Sequence, residues 1–300
     1  MSEKARHDST ARTRELGLTL RGVRKRKQLG GRELNRKVGW PDCNVSFWET
    51  GRRAPSSVDV ATFLAGCGPL DRIEYEQLIA MAKEPDNGYW VRPHNPELPT
   101  ELRSLIVAES IADSIASYEP AVIPGLLQTE QYIRELFRWC STRTQGEIEL
   151  RVQARLARQE LLRRDQPPDC TYFIQEHALR TVLGSSRVMN EQLLHLVFAG
   201  SLPRCTIRVV REAAGPFSAW GGMFMLLEQA EHPATAYTEG LAAGTFLDKA
   251  EDITRYRGFL ARLDANALNE GQSRAWLASL ASAYDRAEAG SSCPPPSKPG

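Results

Sequence analysis

Three hundred residues, 42% of them hydrophobic and 25% charged, suit a globular chain of two domains and exclude a low-complexity one. No apolar run approaches the ~18 residues that span a bilayer, and the polar start MSEKARHDST lacks the apolar stretch of a signal peptide, so a cytoplasmic location and no membrane partner are expected. The net charge of +1 conceals an asymmetry: residues 1–53 hold fourteen Lys/Arg against six Asp/Glu, a surplus of +8, which leaves −7 on the rest.

Residues 1–13 read as a disordered polar lead. Helical periodicity begins at Arg14, with Leu16, Leu20, Val23 and Leu29 as apolar marks. A short helix over Arg32–Val38 stops at Gly39, a natural left-handed cap, and Pro41 opens the next helix, which turns Val45 and Trp48 inward and ends at Gly51. Ser56 and Asp59 are spaced as a capping box for a fourth helix with Val60, Phe63 and Leu64 inside. A fifth helix over Asp71–Lys83 presents Ile73, Leu78, Ile79 and Met81.

Residues 84–100, rich in Pro, Asn and Gly, read as an inter-domain linker packed through Tyr89 and Trp90. The second domain is expected over 101–288, with helices near 101–117, 128–140, 145–164, 188–199, 248–265 and 272–288. Strands are expected at Thr171–Gln175, Thr206–Val210, Gly222–Leu227 and Thr235–Thr238. Asp248 and Glu251 are spaced to cap the helix after the last strand. The tail 289–300, ending SSCPPPSKPG, has no means of building a core and reads as disordered.

The pattern Leu29-x4-Leu34-x3-Val38-Gly39-x5-Val45-x2-Trp48-Glu49-x-Gly51 resembles the XRE-type helix-turn-helix, and residues 14–83 form the corresponding phage-repressor-like domain. The resemblance implies double-stranded DNA as partner, read by a homodimer whose second motif helix lies in the major groove. Asp42, Cys43, Asn44, Ser46 and Phe47 would then face the bases, with phosphate contacts from Arg24, Arg36, Lys37, Arg52 and Arg53. The basic end on an acidic body agrees with a nucleic-acid-binding module joined to a regulatory one. Departures from the family are Asn35 where alanine is usual, Gly31 and Asp42 in place of polar residues, and the adjacent aromatics Phe47 and Trp48.

Tyr118-Glu119-Pro120, Ile123-Pro124-Gly125-Leu126-Leu127-Gln128-Thr129-Glu130, Arg155-x2-Arg158-Gln159, Glu176-x-Ala178-Leu179-Arg180, Gly215-Pro216-Phe217 and Tyr237-x-Glu239 carry a second resemblance. It is to the ligand-binding-like domain of unknown function that follows such motifs in many actinobacterial regulators, some of them antitoxin-like and paired with a small acidic protein. A small acidic protein or a small-molecule effector is therefore the implied second partner. The expected fold is mainly α with a smaller β component, a five-helix N-terminal domain followed by an α+β domain. Candidate pocket residues are Gln128, Arg155, Arg158, Gln159, Glu176, Phe217, Trp220, Tyr237 and Glu239, with the loop 213–222 as a lid.

Catalytic signatures are missing: no GxSxG, HExxH, Walker A or GxGxxG occurs, so no catalytic residue is named and no cofactor is expected. The five histidines and six cysteines lack metal-ligand spacing, and the cysteines read as reduced thiols. Glu176 and His177, read as neighbours on a strand, would point to opposite faces. The main reading is a DNA-binding transcriptional regulator. The alternative is a cofactor-independent cyclase- or isomerase-like enzyme of natural-product biosynthesis on a regulator scaffold, which would act by holding its substrate in a productive conformation. A purely protein-binding module is the third.

Overall fold

The structure, a computed structural model, describes residues 9–93, 100–140, 144–217 and 222–291. Residues 1–8 of the expected lead, linker residues 94–99, Trp220 with most of its loop tip, and the tail from 292 lie outside the described residues. In chain order the helices of the N-terminal region are α1 (Ala11–Arg26), α2 (Gly31–Val38), α3 (Asn44–Glu49), α4 (Ser57–Cys67) and α5 (Arg72–Lys83). Next come β1 (Tyr89–Pro93), α6 (Thr100–Ser110), β2 (Ser114–Glu119), α7 (Glu130–Cys140), α8 (Gln145–Gln159), β3 (Asp169–Gln175) and α9 (Glu176–Arg180). The remainder is α10 (Ser186–Ala199), β4 (Cys205–Val210), β5 (Phe224–Glu228), β6 (Thr235–Glu239), β7 (Ala243–Leu247), α11 (Ala250–Asn266) and α12 (Glu270–Ser291). The protein is thus mainly α with a smaller β part, and five helices precede the α+β region. No helix among the described residues is long and apolar enough to cross a membrane.

The chain forms two compact units, one of residues up to Asp113 with Leu226–Tyr256, the other of Ser114–Met225 with the residues from Arg257 onward. In the first, α1–α5 close around Leu16, Leu20, Val23, Leu34, Val45, Trp48, Val60, Phe63 and Leu64, all buried. Gly39 adopts φ +75° and ends α2, which only a residue without a Cβ does at no steric cost. Ser56 and Asp59 form the capping box expected for α4, and Asp71 caps α5 by accepting from Ile73 N and Glu74 N. β1 pairs antiparallel with β7 from Tyr89↔Leu247 to Pro93↔Ala243, and β7 pairs antiparallel with β6. Trp90, Phe246 and Tyr237 stack across these strands.

The N-terminal half of α1 is embedded in that same unit. Arg14 and Asp248 pair at 3.2 Å with side chains only 3% and 5% exposed. Asp248 also accepts from Thr235 Oγ1 at 2.6 Å and Ala11 N at 3.1 Å. Arg14 donates further to the Ser9 and Pro233 carbonyls and to Thr235 Oγ1. Burial pulls the Arg14 pKa down and pushes that of Asp248 up, while their mutual attraction opposes both. Arg12 donates to the Met81 carbonyl at 2.8 Å, and Thr10 Oγ1 to Asp86 at 2.8 Å.

In the second unit β2, β3 and β4 run parallel, in register from Ser114↔Asp169 and Cys170↔Cys205. Parallel strands need long crossovers, here supplied by α7–α8 and α9–α10. α10 packs along α12, tied by Asn190 Nδ2 donating to the Ala281 carbonyl and Arg274 to that of Gly200. Tyr118, Phe224 and Phe217 all meet Phe259 edge-to-face, and Tyr118 and Phe224 are tilted against each other.

Several expectations change. α1 begins at Ala11, capped by Thr10, so residues 9–13 belong to the fold and not to a lead. Pro41 sits in a turn, its carbonyl accepting from Asn44 N, and the third helix starts at Asn44. Ile73 is exposed, and α5 buries Leu78 and Met81. The stretch expected as linker contains β1. The helix expected over 101–117 stops at Ser110 and gives way to β2, and Glu176 and His177 lie in α9. Asp248 does not cap α11, because its oxygens are taken by Arg14, Thr235 and Ala11.

Candidate functional site

The turn between α2 and α3 is built around Asn35, which is 1% exposed. Its Nδ2 donates to the Asp42 carbonyl at 2.8 Å, its Oδ1 accepts from Val45 N at 3.3 Å, and its own carbonyl accepts from Trp40 N. One amide thereby satisfies a loop acceptor and an otherwise orphaned donor in the first turn of α3. That is why a buried polar side chain is accommodated here. Asn35→Ala is expected to lower stability by about 1–3 kcal/mol. A urea midpoint that drops with an unchanged slope would show this, and an unmoved midpoint would mean that water replaces the amide.

α3 turns Val45 and Trp48 inward, and the Trp48 ring meets Trp40 edge-on at 4.7 Å. Asp42, Cys43, Ser46 and Phe47 lie on the exposed side, Phe47 at 39%, and Asn44 is half-buried. Phe47 therefore does not bury this face. Arg36, Lys37 and Arg53 are exposed and form no ion pair or side-chain hydrogen bond among the described residues.

Arg24 differs from the other expected phosphate ligands. Its Nε and Nη2 donate to both Glu49 oxygens at 2.5 and 2.6 Å, and its Nη1 to the Leu29 carbonyl at 2.6 Å. The hydrogen bonds to Glu49 hold its pKa above the ordinary value. Three of its five N–H groups thus brace α1 against the end of α3, unlike the free side chains of Arg36, Lys37 and Arg53. Arg52 pairs with Glu231 at 2.8 Å, and both side chains are more than a third exposed. Such a pair contributes at most about 1 kcal/mol and is exchangeable.

The expected pocket residues fall into separate groups. Arg155 Nη1 donates to Gln128 Oε1 at 2.8 Å, and Gln159 Nε2 to the carbonyls of Gln128 at 2.7 Å and Gly125 at 3.1 Å. Gln128 donates in turn to the Ile123 carbonyl, and Gln192 to that of Leu127. The spacing of Arg155, Arg158 and Gln159 does put them on one helix face, where they prop the Pro124–Gln128 turn, with Arg158 close to Gly125. Phe217 lies against Phe259, and Trp220 is outside the described residues. Tyr237 is buried against Phe246, and Glu239 is exposed; both belong to the first unit, whereas the others belong to the second.

Glu176 is the most engaged of the set. Its side chain is 6% exposed and accepts from Arg180 Nε at 2.6 Å, Arg211 Nε at 2.7 Å and Glu212 N at 3.1 Å. Burial pushes its pKa up, but the three donors outweigh burial and hold it below the usual carboxylate range. Arg211 and Trp276 were not singled out in the sequence. The available signal was Glu176 with Arg180 four residues on, which meet only if the segment is helical. No group of three or more His, Cys, Asp or Glu suited to a metal ion occurs among the described residues.

These features define a mainly α protein in which a five-helix bundle precedes an α+β region with both parallel and antiparallel strands. Residues 102–279 match the domain of unknown function DUF5753, and the chain belongs to that family. No match is found among curated proteins.

Proposed function

We propose that this protein is a DNA-binding transcriptional regulator of the XRE type, which reads double-stranded DNA through the outer face of α3. The observation that carries the reading is the combination of an exposed α3 face with three unpaired flanking cations, Arg36, Lys37 and Arg53. Asn35 and Gly39 fix the turn between α2 and α3, and a helix-turn-helix would use that turn to place one helix in the groove and the other on the backbone. Asn44 is suited to an adenine edge, and Phe47 to a thymine methyl. Arg52 joins the phosphate contacts by exchanging Glu231 for DNA. Two copies would engage half-sites about one helical turn apart, and the DUF5753 region would bind an effector that favours one DNA-competent state over another.

The test is a fluorescence anisotropy titration of the purified chain against the DNA upstream of its own gene, at several salt concentrations. Affinity should fall linearly in log–log terms with salt, and Arg52→Ala/Arg53→Ala should flatten the slope by about two, one for each lost phosphate contact. Absence of any binding at ~50 mM salt, where counterion release is strongly favourable, would overturn the reading.

A further inference from the structure

We propose that Arg180, Arg211 and Trp276 form a binding site for the oxyanion group of a small molecule in the second unit. The two guanidiniums are drawn together by separate oxygens of Glu176, each through Nε alone. Neither arginine has another side-chain hydrogen bond among the described residues, so both pairs of terminal nitrogens are unspent. Their side chains are 51% and 39% exposed. Both guanidiniums lie over the Trp276 ring, at 5.3 and 5.5 Å from its centre.

Two guanidiniums repel, and one carboxylate leaves the cluster with a net positive charge. Nε bonding to a fixed, buried acceptor and stacking on an indole remove the rotamer freedom that usually weakens an exposed arginine. What stays open on each is the terminal edge, whose paired N–H groups match two oxygens of a carboxylate or phosphate. The backbone beside both arginines is hydrogen-bonded. Tyr284 Oη donates to the Arg180 carbonyl at 2.8 Å, and the Glu212 amide fixes the residue after Arg211. Arg24 and Arg208, by contrast, spend terminal nitrogens on backbone carbonyls, Nη1 of Arg24 on Leu29 and Nη2 of Arg208 on Asp264.

This site deepens the effector reading of the DUF5753 region, and its test needs no DNA. Benzoate and inorganic phosphate are titrated separately into the full chain by calorimetry, with tryptophan fluorescence in parallel. At least one should bind at millimolar concentration or tighter, and the pair of titrations tells a carboxylate site from a phosphate site. Arg211→Lys keeps the charge but loses the fork, and should weaken that probe about tenfold or more. Trp276→Phe should remove the fluorescence response, and thermal melts of both variants check that they fold. No binding of either probe, or binding unchanged in folded Arg211→Lys, overturns the site. If DNA binding persists while both probes fail, this site alone falls; if the probes bind and DNA does not, the regulator reading falls and the site stands.

Discussion

Replacing Asp248 by alanine is expected to destabilise the first unit by about 3–5 kcal/mol, because it strands the Arg14 guanidinium in a buried setting with its charge uncompensated. The melting temperature should fall on the order of 10 °C by calorimetry. Asp248 holds three partners, Arg14, Thr235 and Ala11 N, and the last is the first backbone donor of α1, so the same substitution frays the start of the helix bundle. Arg14→Met/Asp248→Leu tests the mechanism. Removing both charges together should recover most of the loss, since a buried pair is often no better than apolar residues of similar volume. If the single substitution moves the melting temperature by less than ~2 °C, solvent reaches this pair and the anchoring of α1 to β6 and β7 is not what the burial indicates.

That anchor was invisible in the sequence. Asp248 and Glu251 have the spacing of a capping box, and the local reading was reasonable; a partner 234 residues away overrode it. The Arg24–Glu49 bridge was hidden for the same reason, since Arg24 is one cation in a basic stretch and its partner gives no sign in the spacing. What was legible depends on neighbours in sequence: the glycine stop at Gly39, the Ser56–Asp59 box, and the inward Val45 and Trp48 of α3. Strands β3 to β6 were legible because turn residues bracket them. The first four residues of β2 fall in the helix expected to 117, because SIASYE has no strict alternation, being buried from Ile115 on except Ala116, as strands of parallel sheets are. β1 was hidden by its Pro- and Gly-rich flanks, and the short β7 by the small residues Ala243 and Gly244. Helix periodicity gave the inward Val45 and Trp48 of α3, whereas the outward positions were named from the family resemblance. The cluster around Glu176 followed from neither, because the meeting of Arg180, Arg211 and Trp276 is made by β3, β4 and α12 folding together.

Gly17→Ala should be destabilising although alanine is the better helix former. A Cβ at Gly17 would overlap the Trp48 carbonyl oxygen and lie 3.1 Å from the Glu49 carbonyl carbon, so the obstacle is backbone with no rotamer to yield. Neither helix has room to retreat: Leu16 and Leu20 lock α1 into the core, while Val45, Trp48 and the Arg24–Glu49 bridge hold α3. Overpacking of this kind costs about 1–3 kcal/mol and sometimes more, against a helix-propensity gain of about 1 kcal/mol. The same helix contains its own control. A Cβ at Gly22 would meet only Arg26 Nη1, at 3.8 Å, so Gly22→Ala should gain up to about 1 kcal/mol. Opposite signs for two identical substitutions five residues apart would establish that α1 and α3 cross in backbone contact at Gly17. The functional readout follows, since the collision is relieved by pushing α3 outward, and a shift of that helix degrades any groove contact it makes. Under the regulator reading, Gly17→Ala should weaken DNA binding well below its melting temperature, while Gly22→Ala leaves it unchanged. A Gly17→Ala protein that melts higher than the parent would refute the close crossing, and with it the claim that α1 sets the position of α3.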